Sequence, residues 1–329
     1  MQTNKMNAIV ANGYGSPEVF QYQEVERPEP KADEVLVRVV STSATRADTM
    51  MRTGKPYFGR LFVGLTKPKS PIPGTGFAGY VEEVGSAVSR YKKGDRVFGE
   101  TTLGFSANAE FLVIKEEGVI LPLPENLDFA EAAVFCDGHL TSFNFLYQIA
   151  QIKKGQHWLI NGASGSLGSS AVQLAKYFGA DVTAVTSTKN VGLVKSLGAD
   201  HVIDYSQEDF HQSETKFDCV YDSVGKSSFG ACKSILKEEG SYLSPVLSFS
   251  LLGQMLWTQL FGKKKARFEA TGLKSDDQLR ELLEKVVEVQ QSGKLKTIID
   301  RQFPLAKLSE AHRYIDTGHK RGNVVLLTA

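Results

Sequence analysis

The hydrophobic rhythm of the chain changes along its length. Over the first 125 or so residues apolar and polar positions alternate, as in EVLVRVVSTS, where Val35, Val37 and Val39 fall on one face. A period of two is the pattern of a strand with one buried side. Turn residues recur between such runs, at Lys93-Gly94-Asp95 and through KPKSPIPGTGFAG, because Gly, Pro and Asp suit the backbone angles that reverse a chain. This part is expected to be mostly β. At LPENLDFAEAA, Asp128 followed three residues later by Glu131 predicts a helix N-cap, and the helical run that resumes at Leu140 stops at Gly155. A domain boundary is expected near residue 125.

From 156 to about 270, five short apolar runs (HWLIN, ADVTAVT, DHVIDY, FDCVYDSV and GSYLSP) are separated mostly by helical stretches such as SLGSSAVQLAKYFG and FGACKSILKEEG. Alternation at this spacing predicts a parallel sheet with helices on both faces, a doubly wound α/β domain. Beyond it, DDQLRELLEKVVEVQQSG sets Leu279, Leu282, Leu283, Val286 and Val289 on one side of a helix, and QFPLAKLSEAHRYIDTGHKRGNVVLL ends as a strand. The expected organisation is a β-rich domain begun by 1–125, a doubly wound domain over 126–268, and a return to the first domain over 269–329, with a cleft between the two.

Composition narrows the classes. A chain of 329 residues with 42% apolar and 23% charged content suits a globular enzyme of two domains. A net charge of +1 offers no field for a polyanion, so nucleic acid is not an expected partner. MQTNKMNAIVANGYG has no apolar run of secretory type. Cys136, Cys219 and Cys232 are odd in number and far apart, which fits neither a disulfide framework nor a zinc knuckle; a reducing cytoplasm is the expected home.

The candidate chemistry centres on residues 161 to 190. After the strand ending near Asn161 comes Ala163-Ser164-Gly165-Ser166-Leu167-Gly168, an A-x-G-x-x-G form of the dinucleotide fingerprint in a strand-turn-helix setting. Gly165 lets the backbone approach a pyrophosphate, Gly168 permits close helix–strand packing, and the helix N-terminus offers N–H donors. Leu167, Ala171, Leu174, Ala175 and Phe178 form the buried stripe and Gly179 closes the helix. The tip of the next strand reads Thr186-Ser187-Thr188-Lys189, where an NAD site usually carries an acid for the ribose 2′-hydroxyl. With no acid there, Ser187 and Lys189 suit a 2′-phosphate. NADPH is the expected cofactor.

Taken together, NGASGSLGSSAVQLAKYFGA, SLGADHVIDY, FDCVYDSVG, VVSTSATRADTMMRTG, PGTGFAGYVEEVG and EAHRYIDTGHKRGNVVL resemble the zinc-independent quinone oxidoreductase (ζ-crystallin-like) branch of the medium-chain dehydrogenase/reductase superfamily. The resemblance covers nearly the whole chain. It implies an α/β fold with a GroES-like β-rich catalytic domain built from both chain ends, a central Rossmann domain of doubly wound parallel sheet, NADPH in the cleft, and a homodimer or homotetramer. It also implies cofactor contacts at Ser164, Gly165, Ser166, Leu167, Ser187, Lys189, Tyr205, Val224 and Asn323, to which Gly168 and Thr141 are added.

In the alcohol dehydrogenase branch the catalytic zinc is held by the cysteine of a C-x-x-D pattern and the histidine of a G-H-E pattern. The matching positions here read Thr45-Arg46-Ala47-Asp48 and Gly74-Thr75-Gly76, and two threonines do not replace a thiolate and an imidazole. Cys136, Asp137 and His139 share one short segment without distant partners, so no zinc is expected. Without a metal to stabilise an alkoxide, a substrate that already accepts hydride is the better match: a quinone or an α,β-unsaturated carbonyl. Tyr57, His139, Thr45 and Thr141 are the candidate hydrogen-bond or proton donors to its oxygen.

Residues 241–265, SYLSPVLSFSLLGQMLWTQLFGKKK, approach the length of a membrane span, but Pro245, Gln254, Gln259 and the serines argue against one. A strand and an amphipathic helix are expected, with Ser250, Gln254 and Thr258 as a polar stripe and Leu252, Leu256, Leu260 and Phe261 facing a pocket or partner. Peripheral membrane contact through Trp257 and the lysines is the lesser alternative. Competing functions are alcohol–carbonyl chemistry with NAD(P), and a non-catalytic NADPH-binding, RNA-associated role.

Overall fold

The computed structural model describes residues 4–55, 57 and 60–328. Its strands are β1 (Lys5–Ala11), β2 (Phe20–Glu26), β3 (Glu34–Ala44), β4 (Gly76–Val84), β5 (Arg96–Glu100), β6 (Phe111–Lys115), β7 (Val119–Pro122), β8 (His157–Asn161), β9 (Asp181–Thr186), β10 (His201–Asp204), β11 (Phe217–Asp222), β12 (Leu236–Leu243), β13 (Lys265–Arg267), β14 (Ile299–Pro304) and β15 (Asn323–Leu327). The chain divides into two compact units: 1–137 with 272–284 and 299–329, and 138–271 with 285–298.

The first unit holds the β1–β2 hairpin and a seven-stranded sheet in the order β14-β15-β3-β4-β5-β7, with β6 also on β3. The alternation of β3 is what the packing uses: Val35, Val37 and Val39 are buried against Phe77, Val81, Val97, Leu112 and Ile120, and each fully buried side chain of this size contributes roughly 1.5–3 kcal/mol. The closing strand β15 pairs antiparallel with β3, Val325 opposite Ser43, so the C-terminal end of the chain completes the first unit's sheet. Asp128 caps the Phe129–Ala133 helix, its carboxylate accepting from Glu131 N at 2.7 Å while Glu131 accepts from Asp128 N.

The second unit is a six-stranded parallel sheet in the order β10-β9-β8-β11-β12-β13. One strand, β13, exceeds the five apolar runs, because KAR carries no apolar pattern by which to read it. Numbered from β8, the order is 3-2-1-4-5-6 of a dinucleotide-binding fold, whose switch point lies beyond the carboxyl ends of its first and fourth strands. Trp158, Leu159 and Ile160 of β8 are all buried, as a parallel strand covered on both faces requires. The Ser166–Tyr177 helix packs Ala171, Leu174 and Ala175 inward and ends in a Schellman turn, with Gly179 at φ +78° and Ala180 N donating to Ala175 O at 3.0 Å.

The Phe249–Phe261 helix departs from expectation at Thr258. Thr258 is its buried polar residue, accepting from Ala266 N at 3.1 Å, while Leu252, Leu256, Trp257, Leu260 and Phe261 are exposed. The backbone of β13 needs an acceptor there, and Thr258 supplies it, while Ser250 stays exposed and Leu251 is the helix's buried apolar residue. Among the described residues no helix is long and apolar enough to cross a membrane.

Candidate active site

The turn after β8 is built for close approach. Gly162 sits at φ +78°, and a Cβ there would overlap Val224 and stand 2.8 Å from Ser223 Oγ. Gly165 is extended (φ −81°, ψ −178°) at the N-cap of the Ser166–Tyr177 helix; the nearest protein atom to a Cβ on it would be Gly162 O at 3.4 Å. A Cβ on Gly168, by contrast, would overlap the Gly162 carbonyl and lie 2.7 Å from Ala163 Cα. Gly168 therefore seats the helix on the strand, while Gly165 keeps the outer side clear for a ligand backbone approach. The first-turn amides of Ser166, Leu167 and Gly168 have no acceptor within the helix and carry its partial positive charge.

The carboxyl end of β11 is fixed by Asp222. Its buried carboxylate accepts from Asn161 Nδ2 (2.9 Å), Gly225 N (3.0 Å), Ser227 N (2.9 Å) and the Tyr242 hydroxyl (2.9 Å). These bonds tie β8, β11 and β12 together at the switch point. They also place Val224 against Gly162, and Gly225 against Val246.

At the tip of β9, Ser164 Oγ accepts from Thr186 Oγ1 and from Asn190 Nδ2, both at 3.0 Å, so its own proton is directed elsewhere. Asn190 Oδ1 is buried with no protein partner. Ser187 is half-buried and Lys189 exposed. The acid of the next strand, Asp204, is taken up locally by Ser206, Thr188 and Gln207, which hold its carboxyl below the ordinary range. Tyr205 follows it, 54% exposed. Glycine cradle, orphaned amide oxygen, uncommitted hydroxyl and exposed lysine are groups that can hold a phosphorylated dinucleotide.

The donor candidates are differently placed. Thr45 caps the Arg46–Thr53 helix; its hydroxyl accepts from Asp48 N (3.1 Å) and donates to Asp48 Oδ2 (2.9 Å). His139 is buried on a π-helical turn, Cys136–Leu140, with both ring nitrogens bonded, Nδ1 to Ser170 Oγ (2.8 Å) and Nε2 to Thr297 Oγ1 (3.0 Å). Burial pushes its pKa down to about 3. Thr141 follows, half-buried, in the helical turn Thr141–Phe143. Tyr57 is 65% exposed, with the Arg60 guanidinium 4.9 Å from its ring centre. Asn323 opens β15, buried in the first unit.

Sequence reading did not single out the acids of the first unit. Burial, together with the charge of Asp137, raises Asp48 to about 6 and Glu100 to about 7. The T-x-x-D spacing was a visible signal for Asp48; Glu100 ends a strand and carried none.

Residues 31–125 match the alcohol dehydrogenase GroES-like domain, and residues 197–326 match the zinc-binding dehydrogenase family. Over 98% of its length the chain is 35% identical to 2-methylene-furan-3-one reductase of Solanum lycopersicum, covering 79% of that protein. It is 31% identical, with the same two coverages, to the NADPH-dependent alkenal/one oxidoreductase, chloroplastic, of Arabidopsis thaliana. The solved quinone oxidoreductase of Coxiella burnetii superposes with a TM-score of 0.88 at 29% identity, covering 99% of this chain and all of that one. The chain belongs to the quinone oxidoreductase branch of the medium-chain dehydrogenase/reductase superfamily. Within that superfamily the zinc-binding description does not fit the residues present. Thr45 is bonded to Asp48, Thr75 donates to Glu100, and among the described residues no group of three or more His, Cys, Asp or Glu side chains is arranged to hold a metal ion.

Proposed function

We propose that the protein is an NADPH-dependent reductase that transfers hydride to a quinone or an α,β-unsaturated carbonyl without zinc. The observation that carries this reading is the cofactor face of the second unit: a glycine turn at the switch point, followed by a β9 tip that carries a lysine and no acid of its own. The family membership and the names of the two plant reductases support the substrate class.

When bound, NADPH supplies the hydride. The chain's own share is binding and alignment. The first-turn amides and the Gly162–Gly168 turn hold the pyrophosphate, Ser164 offers its proton to a cofactor oxygen, and Ser187 with Lys189 holds the 2′-phosphate. Val224 and Val246 form an apolar wall beside the turn. Thr141 and Asn323 belong to the cofactor contacts in this reading, with Tyr205 beside the β9 tip. Reduction leaves negative charge on the substrate oxygen, which then takes a proton. We assign that proton to the Tyr57 phenol, because Thr45 and His139 have their polar atoms engaged inside the fold.

A homodimer or homotetramer belongs to the same reading, supported by the exposed apolar side of the Phe249–Phe261 helix; a reducing, cytoplasmic setting is supported by Cys136, Cys219 and Cys232, which are buried and form no disulfide. The test is single-turnover oxidation of NADPH against quinones, enals and enones, with NADH and primary alcohols in parallel. Loss of the reduced-nicotinamide absorbance with an enone or quinone is the expected result. Turnover confined to alcohols with NAD, or none with any acceptor, overturns the proposal.

A further inference from the structure

His139 is a buried, neutral imidazole whose hydrogen bonds fix its tautomer. Ser170 Oγ donates its only proton to Ser166 O at 3.0 Å, so toward the ring it can only accept, from Nδ1–H. Nε2 therefore carries the lone pair and accepts from Thr297 Oγ1. One ring thus links Ser170, in the second turn of the Ser166–Tyr177 helix and bonded back to Ser166 O of the first, to the segment after the Asp276–Gln291 helix. Three further contacts act on the same elements. A Cβ on Gly138 would stand 2.9 Å from Ser166 Oγ and 3.1 Å from Ser170 Oγ, so the π-helical turn touches the cofactor helix. Ser142 Oγ donates to Leu167 O at 2.8 Å. One turn further along, Gln173 donates to Lys296 O (3.0 Å) and accepts from Lys296 N (2.9 Å).

On its opposite side the same turn is wedged against Gly162 and Ala163 through Gly168. The first-turn amides are thereby held from two sides before any ligand arrives, which is the condition for an anion site that does not have to reorganise on binding.

We infer that His139 is a positioning residue for the dinucleotide: it holds the amides of Ser166, Leu167 and Gly168 in place through Ser170 and Thr297, and so sets NADPH affinity rather than moving a proton. The inference rests on the NADPH reading above, but its test needs no substrate for the first readout.

The experiment is NADPH titration by nicotinamide fluorescence on the full-length protein, followed by kcat at saturating NADPH across pH. His139→Leu is expected to raise the NADPH Kd about tenfold, the scale of one lost buried hydrogen bond. His139→Asn keeps a donor in the place of Nδ1 and is expected to recover most of that loss. His139→Gln reaches toward Thr297 instead and is expected to recover less. The saturating kcat and its pH profile should stay at the wild-type values. A fall in kcat with Kd intact and a shifted pH profile would mean that the ring moves a proton, and overturns the inference. An unchanged Kd in both Leu and Gln variants reduces the ring to packing and also overturns it. If His139→Leu does not fold, Thr297→Val removes the Nε2 partner alone; a Kd raised about threefold is expected, and no change refutes the linkage. Wild-type protein that binds no NADPH removes the cofactor reading itself, an outcome separate from variants that bind like wild type.

Discussion

The two motif glycines should fail in opposite ways when given a methyl group. At Gly168 a Cβ would overlap the Gly162 carbonyl and stand 2.7 Å from Ala163 Cα, both backbone atoms that no rotamer change can move. The helix has to slide outward by about 1 Å, and overpacking of this kind costs roughly 1–3 kcal/mol. Up to ~1 kcal/mol returns because alanine is the better helix former. A net loss of about 1–2 kcal/mol lowers Tm by roughly 2–8 °C for a unit of this size. At Gly165 a Cβ meets only Gly162 O, at an ordinary 3.4 Å, and the backbone there is extended rather than left-handed. Its fold cost is the difference between glycine and alanine as N-cap, about 0.5 kcal/mol.

In the proposed cofactor reading, however, that methyl occupies the side from which the pyrophosphate approaches. Gly165→Ala is therefore expected to melt within about 2 °C of wild type while NADPH no longer raises its Tm at concentrations that protect the wild type. Gly168→Ala should melt lower in the absence of nucleotide. Differential scanning calorimetry with and without NADPH reads both. A Gly165→Ala protein that melts as low as Gly168→Ala, or that is protected by NADPH as well as wild type, would refute the division of labour between them.

Lys189→Ala should lower kcat/KM for NADPH roughly tenfold, as loss of one partly exposed charge-assisted hydrogen bond implies, and leave NADH nearly unaffected; an equal effect on both cofactors would show that the lysine does not meet the 2′-phosphate. Glu100 is held neutral by burial and by the charges of Asp137 and Asp48, its pKa raised from 4.5 to about 7. The folded chain therefore binds a proton that the unfolded chain releases, and stability falls as pH rises from 4.5 toward 7. Glu100→Gln should flatten that slope in urea melts by on the order of 1–2 kcal/mol; an unchanged slope would place the titration elsewhere. Tyr242→Phe deletes the buried hydroxyl that donates to Asp222 and should cost about 1.5–3 kcal/mol in chemical denaturation, whereas a loss below ~0.5 kcal/mol would mean another group takes up the carboxylate.

The elements whose hydrophobic period and end signals agreed were legible in the chain: β3 with its alternating valines, the Asp128–Glu131 cap, the Ser166–Tyr177 helix closed at Gly179, and the strand-helix alternation that makes a parallel sheet. Local sequence carries these because they depend on periodicity and on backbone conformations that few residues adopt. The glycine turn was legible for the same reason, although Gly162, the residue at positive φ, stands just ahead of the fingerprint and went unread beside Asn161.

What only the tertiary structure decided concerns atoms brought together from distant segments. Asp222, ordinary in sequence, gathers three strands because Asn161, Tyr242 and the turn after β11 all reach it. Glu100 acquires its raised pKa only where the folded unit buries it and brings Asp137 and Asp48 close. His139, a donor candidate in the sequence, becomes a strut once Ser170 and Thr297 engage both nitrogens, a pairing that spans 158 residues to Thr297. Periodicity sets which side of an element is buried; a hydrogen bond depends on which polar atom waits across the interface, and no local pattern records that.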